Sequence, residues 1–268
     1  MVLALAGTPA LAGTPAPAAR GAVQVLTIPD RHKGRDRRIW VYTPPGYAAD
    51  TIAGHGLVVA FDGREYVEDF GVPRMLDSLL AARRIPPLVA VMIDDSTGAE
   101  RLDDLANRAW FVSFLADSLL PWVRRQWRVT TDPRRVIVTG SSAGGLAAAN
   151  AGLQRPEVFG NVLSQSGAFW RGAEAANDPP WEWLTAQAAR GPRRDVRFWL
   201  EVGTTESRGA LGGQAPSILA ANRAFRDTLR AKGYAVTYTE VPNGVHGVET
   251  WGVRLPVGLA ALAGAPPR

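Results

Sequence analysis

The chain contains no cysteine, so cysteine nucleophiles, thiolate metal sites, iron–sulfur clusters and disulfides are all excluded at once. Histidine is nearly as scarce. His32, His55 and His246 are the whole supply, which leaves little material for a histidine-based metal centre and few choices of general base. Lysine is confined to Lys33 and Lys232, so the 30 basic residues are otherwise arginines. No apolar run reaches the roughly 18 residues that a membrane-spanning helix needs.

What remains is a 268-residue chain, 46% hydrophobic and 21% charged, the composition of an ordinary globular protein long enough for one domain with a large core. Its net charge is +5. A nucleic-acid binder gathers such charge into a stripe, whereas here acids are interleaved with arginines almost throughout, so nucleic acid is not an expected partner. The one local excess holds Arg20, Arg31, Lys33, Arg35, Arg37 and Arg38 against Asp30 and Asp36. It reads as a solvated basic face, or as a surface that attracts an anionic ligand. Oligomeric state leaves no signal in the sequence.

Residues 1–20, almost all Ala, Gly, Pro, Thr and Leu with a repeated ALAGTP, cannot build a packed core. They read as a secretory-signal remnant or as a disordered leader, and the fold is expected over residues 21–268. From Val23 onward, short β-branched runs alternate with helical stretches, the pattern of a mostly parallel sheet covered by helices on both faces. Strands are expected at Arg38–Thr43, Leu57–Phe61, Leu88–Ile93, Arg135–Thr139, Val162–Gln165, Val196–Val202 and Val236–Val241. The spacing predicts helices over Ala109–Trp127, broken gently by Pro121, and over Ala143–Leu153, Ser217–Ala231 and Glu249–Leu262. Residues 171–194, rich in Gly, Pro, Trp and Arg, read as an irregular excursion on the rim.

The strand RVIVT runs directly into Gly140-Ser141-Ser142-Ala143-Gly144-Gly145 and then into an alanine-rich helix. This is Gly-x-Ser-x-Gly with Ser142 at its centre. A nucleophile elbow needs that setting, because the serine backbone is held in a strained turn that larger neighbours would crowd. The alternative, a phosphate-binding turn, lacks a following Gly-Lys-Ser/Thr or the dinucleotide spacing. A serine hydroxyl needs a base, and the base an orienting carboxylate, in the chain order serine, acid, histidine. His32 and His55 precede the serine, and His55 opens its strand at the wrong end for a site built at strand C-termini. His246, in the loop PNGVHG, is left.

For the acid, Glu206 stands just past the end of RFWLEV, whereas Asp195 precedes that strand, Glu201 lies inside it, and Glu249, only three residues after His246, reads as the start of a helix. The oxyanion requires two backbone amides: Ala143, after the nucleophile, and Gly63 or Arg64 in the turn FDGREY.

With these elements placed, the chain resembles the esterase D-like branch of α/β hydrolases, and within it the enterochelin (enterobactin) esterases. The matching segments run from about Arg37 to Leu262: the strand ending TPPGY, DGREY, RLDDLANRAWF (similar to that family's Arg-x-x-Glu-Leu-x-x-Asn), SLLPWVR, GSSAGG, SQSGAFW, GTTES, NRAF and HGVETWGVRLPVGLAAL. SQSGAFW, with Trp251 and Arg254 after the histidine, carries the siderophore-esterase likeness, since feruloyl esterases and mycolyl transferases share the elbow. Two departures stand out. Gly244-Val245-His246-Gly247 replaces a frequent Gly-Gly-His-Asp, and Asp104 stands where a glutamate is usual.

The resemblance implies an α/β-hydrolase fold and a serine ester hydrolase acting on a catecholate trilactone siderophore or its ferric complex. Iron would arrive as part of the substrate, with no cofactor. Arg64, Arg101 and Arg208 are the arginines expected to face such an anionic ligand, with Trp170 as a stacking surface. A general carboxylesterase or feruloyl-type esterase is the alternative, and a non-catalytic siderophore-binding protein the third reading. The resemblance points to the single-domain periplasmic or secreted kind, with a cytoplasmic location as the alternative.

Overall fold

The β-branched runs become the strands of one eight-stranded sheet in the computed structural model, which describes residues 19–51, 54–94, 98–172 and 181–264. The expected leader lies outside the described residues except for Ala19 and Arg20, which are exposed, and residues 265–268 also lie outside them. In chain order the strands are β1 (Ala22–Asp30), β2 (Arg35–Thr43), β3 (Gly56–Ala60), β4 (Leu88–Ile93), β5 (Val136–Ser141), β6 (Asn161–Gln165), β7 (Arg197–Gly203) and β8 (Ala235–Val241). They lie in the order β1-β2-β4-β3-β5-β6-β7-β8. β1 and β2 form an antiparallel hairpin, β2 runs antiparallel to β4, and every other neighbouring pair is parallel.

β3 to β6 are buried at every position, because helices cover both faces. Alternate residues feed two cores. Leu57, Val59, Val89, Val91, Val136 and Val138 join one, while Val58, Ala60, Leu88, Ala90 and Ile137 join the other. Burying each of the valine, leucine and isoleucine side chains among these contributes about 1.5–3 kcal/mol.

The helices are α1 (Gly63–Glu68), α2 (Val72–Ala81), α3 (Gly98–Leu105), α4 (Ala109–Ser113), α5 (Leu120–Gln126), α6 (Ala143–Gln154), α7 (Trp183–Arg190), α8 (Ile218–Ala231) and α9 (Val248–Ala263). α2 and α9 pack on one face through Leu76, Leu79, Leu255 and Leu259, and α6 and α8 on the other through Leu146, Ala147, Phe225 and Leu229.

Three expectations need correction. The helix expected over Ala109–Trp127 is interrupted by a π-helical turn, Phe114–Leu119. Pro121, which follows in the first turn of α5, has no amide to give to the carbonyl four residues back, and the widened register precedes it. The excursion at 171–194 contains a helix, α7, which buries Leu184 and Ala188; residues 173–180 of it lie outside the described residues. The basic excess at Arg20–Arg38 is not one solvated face. Arg37 is fully buried, with Nη2 and Nε donating to Asp30 at 2.6 and 3.2 Å and Nη1 to Asp104 at 2.7 Å. Lys33 lies 2.7 Å from Asp103 and 3.2 Å from Asp104.

The parallel arrangement decides where the site forms. β5, β7 and β8 end at the same edge of the sheet, so the loops that follow them converge there, as is general for open parallel sheets.

Candidate active site

Ser142 sits between β5 and α6 with φ 57° and ψ −119°, a conformation that costs a non-glycine residue about 1–3 kcal/mol. Backbone bonds on both sides hold it: its amide donates to Gln165 O at 2.9 Å, and the Ala168 amide donates to its carbonyl at 2.9 Å. The flanking glycines are required by contact. A Cβ on Gly140 would lie 2.4 Å from the Gly144 carbonyl carbon, and one on Gly145 would lie 2.5 Å from Ser164 Oγ.

The acid and histidine loops are clipped together. A Cβ on Gly203 would lie 2.2 Å from Gly244 O, so only glycine lets the loops touch there. Thr205 Oγ1 donates to Gly244 O at 2.6 Å, and the Asn243 amide donates to Thr204 Oγ1 at 2.9 Å.

Ser142, His246 and Glu206 are brought into one hydrogen-bonded line. His246 Nε2 lies 3.0 Å from Ser142 Oγ, and Nδ1 lies 2.5 Å from Glu206 Oε2. An ionised carboxylate only accepts, so Nδ1 carries the proton and Nε2 presents its lone pair to the serine hydroxyl. The carboxylate is buried, its side chain 2% exposed, whereas that of His246 is 35% exposed and open to a ligand. The other histidines are elsewhere. His55 is buried at the start of β3, 3.2 Å from Asp50, and His32 stacks on Trp110.

Behind the line stand residues whose roles the sequence reading missed. Glu206 Oε1 accepts from the Gly203 amide at 2.8 Å and from Ser166 Oγ at 2.6 Å, and Ser166 Oγ accepts from Trp251 Nε1 at 2.8 Å. The Trp251 ring also meets the His246 ring edge to face, with centroids 4.8 Å apart. Glu201, set aside as the orienting acid because it lies within a strand, is buried and pairs with Arg254 at 2.7 Å. Ser166 lies in SQSGAFW and one residue past β6, the neighbour of the elbow strand. A hydroxyl at that strand end was the available signal.

On the far side of Ser142, α1 begins beside the elbow: a Cβ on Gly144 would lie 3.3 Å from Asp62 Oδ2. Gly63 is buried where a Cβ would meet the Met92 carbonyl carbon at 2.7 Å. The amides of Gly63 and Arg64 belong to the first turn of α1, where no intrahelical acceptor is available. The side chain of Arg64 is exposed, whereas Arg101 grips Asp62 with two nitrogens, Nη2 at 2.7 Å.

Arg64 and Arg101 line a cleft of about 270 Å³ together with Asp62, Glu65, Asp69, Asp94 and Gly98. Four carboxyl groups outnumber two guanidinium groups, so this cleft is not the basic funnel that the arginines alone suggested. Burial, with the Asp62 charge adding to it, pushes the Glu65 carboxyl up from its ordinary value. Arg208 is exposed, two residues past Glu206. Trp170 is half-buried, its ring 6.1 Å from that of Trp181 and under the Arg171 guanidinium.

The family model described as putative esterase matches residues 31–262. An iron(III) enterobactin esterase from Dickeya dadantii is 37% identical over 154 residues, 58% of this chain and 35% of that protein. The enterobactin esterase from Shigella flexneri, crystallised in the presence of enterobactin, superposes with a TM-score of 0.77 at 28% identity, covering 90% of this chain and 58% of that one. A ferulic acid esterase from Anaeromyces mucronatus shares the fold, with a TM-score of 0.71 at 15% identity over 94% of each chain. The matched region spans only 35–58% of the length of four curated siderophore esterases that it matches.

Proposed function

We propose, from the premise that this chain belongs to the putative esterase family of ester hydrolases, that it cleaves the ester bonds of a catecholate trilactone siderophore such as enterobactin, free or as its ferric complex, by serine catalysis. The observation that carries the chemistry is the line from Ser142 Oγ through His246 to Glu206, with spacings of 3.0 and 2.5 Å.

In this reading Ser142 Oγ attacks the ester carbonyl while His246 Nε2 takes its proton. Glu206 holds the imidazole in the tautomer that makes this possible and stabilises the imidazolium that forms. The oxyanion is received by the amide of Ala143 and that of Arg64 or Gly63, on opposite sides of the elbow. His246 then returns the proton to the leaving hydroxyl. Water, deprotonated by the same imidazole, releases the acyl group. Iron, where present, is part of the substrate. The likeness to enterobactin esterases supports the siderophore substrate. Arg208, exposed beside Glu206, and Trp170 are the candidate contacts for its anionic, aromatic arms.

One observation favours a second reading, a general or feruloyl-type esterase for uncharged aryl esters. The cleft beside Asp62 carries more acids than arginines, which disfavours an anionic ligand on that side.

The test is steady-state hydrolysis of 4-nitrophenyl acetate, methyl ferulate, enterobactin and ferric enterobactin by wild type and Ser142→Ala. We expect the variant to lose roughly 10⁴-fold or more in kcat on every ester. Equal rates in both proteins would remove the nucleophile assignment. A kcat/KM for enterobactin at least tenfold above that for methyl ferulate supports the siderophore substrate, and the reverse ranking favours the second reading. Tight binding of the ferric complex without turnover would mark a binding protein.

A further inference from the structure

We infer that Ser166 and Trp251 form a positioning relay that fixes the direction of the protons in the Ser142–His246–Glu206 line, with Trp251 acting through Ser166 and Ser166 through Glu206. The inference rests on the catalytic reading above and adds two residues to it.

The direction is set by the groups that can only donate. The Trp251 indole has one polar atom, and it is a donor without an acceptor lone pair. Its hydrogen points at Ser166 Oγ over 2.8 Å, so Ser166 Oγ accepts there. The proton of Ser166 is thereby aimed elsewhere, and Glu206 Oε1 stands 2.6 Å away to receive it. With the Gly203 amide donating to the same oxygen at 2.8 Å, Oε1 has two donors and Oε2 is left to the His246 Nδ1 proton. The arrangement has a place for every proton when Glu206 is an anion. A proton on Oε1 would face two donors instead. A hydroxyl free to rotate could give its proton to another acceptor and turn a lone pair toward the carboxylate; the indole prevents this.

The backbone carries a cost for this placement. Ser166 is 1% exposed and has φ 48°, a left-handed conformation that a side chain adopts at a penalty, and a hydrogen bond from its amide to Glu201 O at 2.6 Å holds it there. Glycine would sit at this φ without strain, so the serine carries a backbone cost that its hydroxyl, with two partners, offsets. Trp251 is held in turn by α9. Gln165 Nε2 donates to the Trp251 carbonyl at 3.0 Å, and Arg254, one helical turn on, pairs with Glu201.

The relay is tested with Ser166→Gly, Trp251→Phe and the double variant, each checked for folding by circular dichroism and thermal unfolding, with kcat and KM measured on 4-nitrophenyl acetate. Ser166→Gly is expected to lower kcat about tenfold or more with KM within twofold of wild type, and Trp251→Phe to lower it about threefold. The double variant is expected to be no slower than Ser166→Gly, because the phenylalanine ring keeps the edge-to-face contact with His246 and the lost indole N–H directed only the Ser166 hydroxyl. A folded Ser166→Gly with wild-type kcat, or losses that multiply in the double variant, would overturn the relay. Ser142→Ala assayed alongside separates the two levels: if it retains wild-type rates, the catalytic reading fails and takes the relay with it. If it is inactive while Ser166→Gly is fully active, the relay alone fails.

Discussion

Toward one edge of the sheet, buried Asp30 and Asp104 meet Arg37 and Lys33; toward the other, buried Glu206 meets a histidine, a serine hydroxyl and a backbone amide. All three carboxylates are taken out of water, and all three are compensated. The compensation differs in kind. Arg37 cannot lose its proton, so the first network relays none and ties β1 and β2 to α3. His246 has one ring nitrogen against Glu206 and the other against Ser142, one able to donate and one to accept, so the second network can pass a proton along. Burial of acids is therefore no sign of catalysis by itself. What separates the two networks is whether a ligand-accessible imidazole stands beside the acid, with a hydroxyl beyond it, as the proposed serine catalysis requires.

The contrast can be pressed from either side. The largest expected effect on activity in the second network, apart from loss of the nucleophile itself, comes from Glu206→Gln. The amide preserves shape but offers His246 the wrong group or the wrong tautomer, and kcat should fall on the order of 10⁴-fold with little change in thermal stability. A variant that retains a tenth of wild-type kcat would show that serine and histidine work as a dyad. In the first network the largest effect should be on stability. Asp104→Ala leaves Arg37 with part of its charge buried and unpaired, and is expected to cost about 3–5 kcal/mol in urea unfolding, with kcat per folded molecule within twofold of wild type. A large fall in kcat at unchanged stability would break the distinction between the networks.

A smaller, pH-dependent effect concerns Asp30. Burial pushes its carboxyl up, but hydrogen bonds from Arg37 and the Lys33 and His32 amides, with the guanidinium charge, outweigh it and hold the group below the ordinary value. A lowered folded-state pKa gives stability that is fully present above the unfolded value of about 3.9 and is lost as pH falls through the folded value. The urea midpoint of wild type should therefore drop below about pH 4 more steeply than that of Asp30→Asn. Equal slopes would show that Asp30 is not a source of acid sensitivity.

The smallest effect is expected at Arg254, whose side chain is 29% exposed on its pair with buried Glu201. Arg254→Gln should lower kcat less than threefold and the melting temperature by a few degrees, because the guanidinium end of the pair reaches solvent and Gln165 Nε2 still donates to the Glu201 carboxylate. A loss as large as that of Ser166→Gly would mean that the packing of α9, not the hydroxyl relay, positions the histidine.

Much of this was legible along the chain, because the signals were local. Leu88–Ile93 is a strand with the expected bounds, and the helices after the elbow and after His246 start within a residue of expectation. The scarcity of histidine left His246, and the position of Glu206 past a strand end separated it from Glu201. The π-turn at Phe114–Leu119 and the helix α7 were not legible: the first is a register change within a continuous apolar pattern, and the second is a short helix in a segment whose Gly, Pro and Arg content reads as loop. The fate of the basic residues was also invisible. Sequence shows the charge of Arg37 and Arg101, but not that Asp104 and Asp62 come from distant segments to meet them.

By itself, the sequence determined the chemistry available: a serine in a glycine-lined strand-to-helix turn, one histidine in the right order, no thiol, and α/β alternation. These follow from residue identity and short-range spacing, which need no knowledge of what packs where. Only the tertiary structure decided which groups face each other. The side-by-side ends of β5, β6, β7 and β8 bring Ser142, Ser166, Glu206 and His246 within hydrogen-bond reach across more than a hundred residues of chain, and the donor-only indole on α9 orders the protons between them. Hydrogen bonds and ion pairs act over a few ångströms in space, and separation along the chain does not encode that distance.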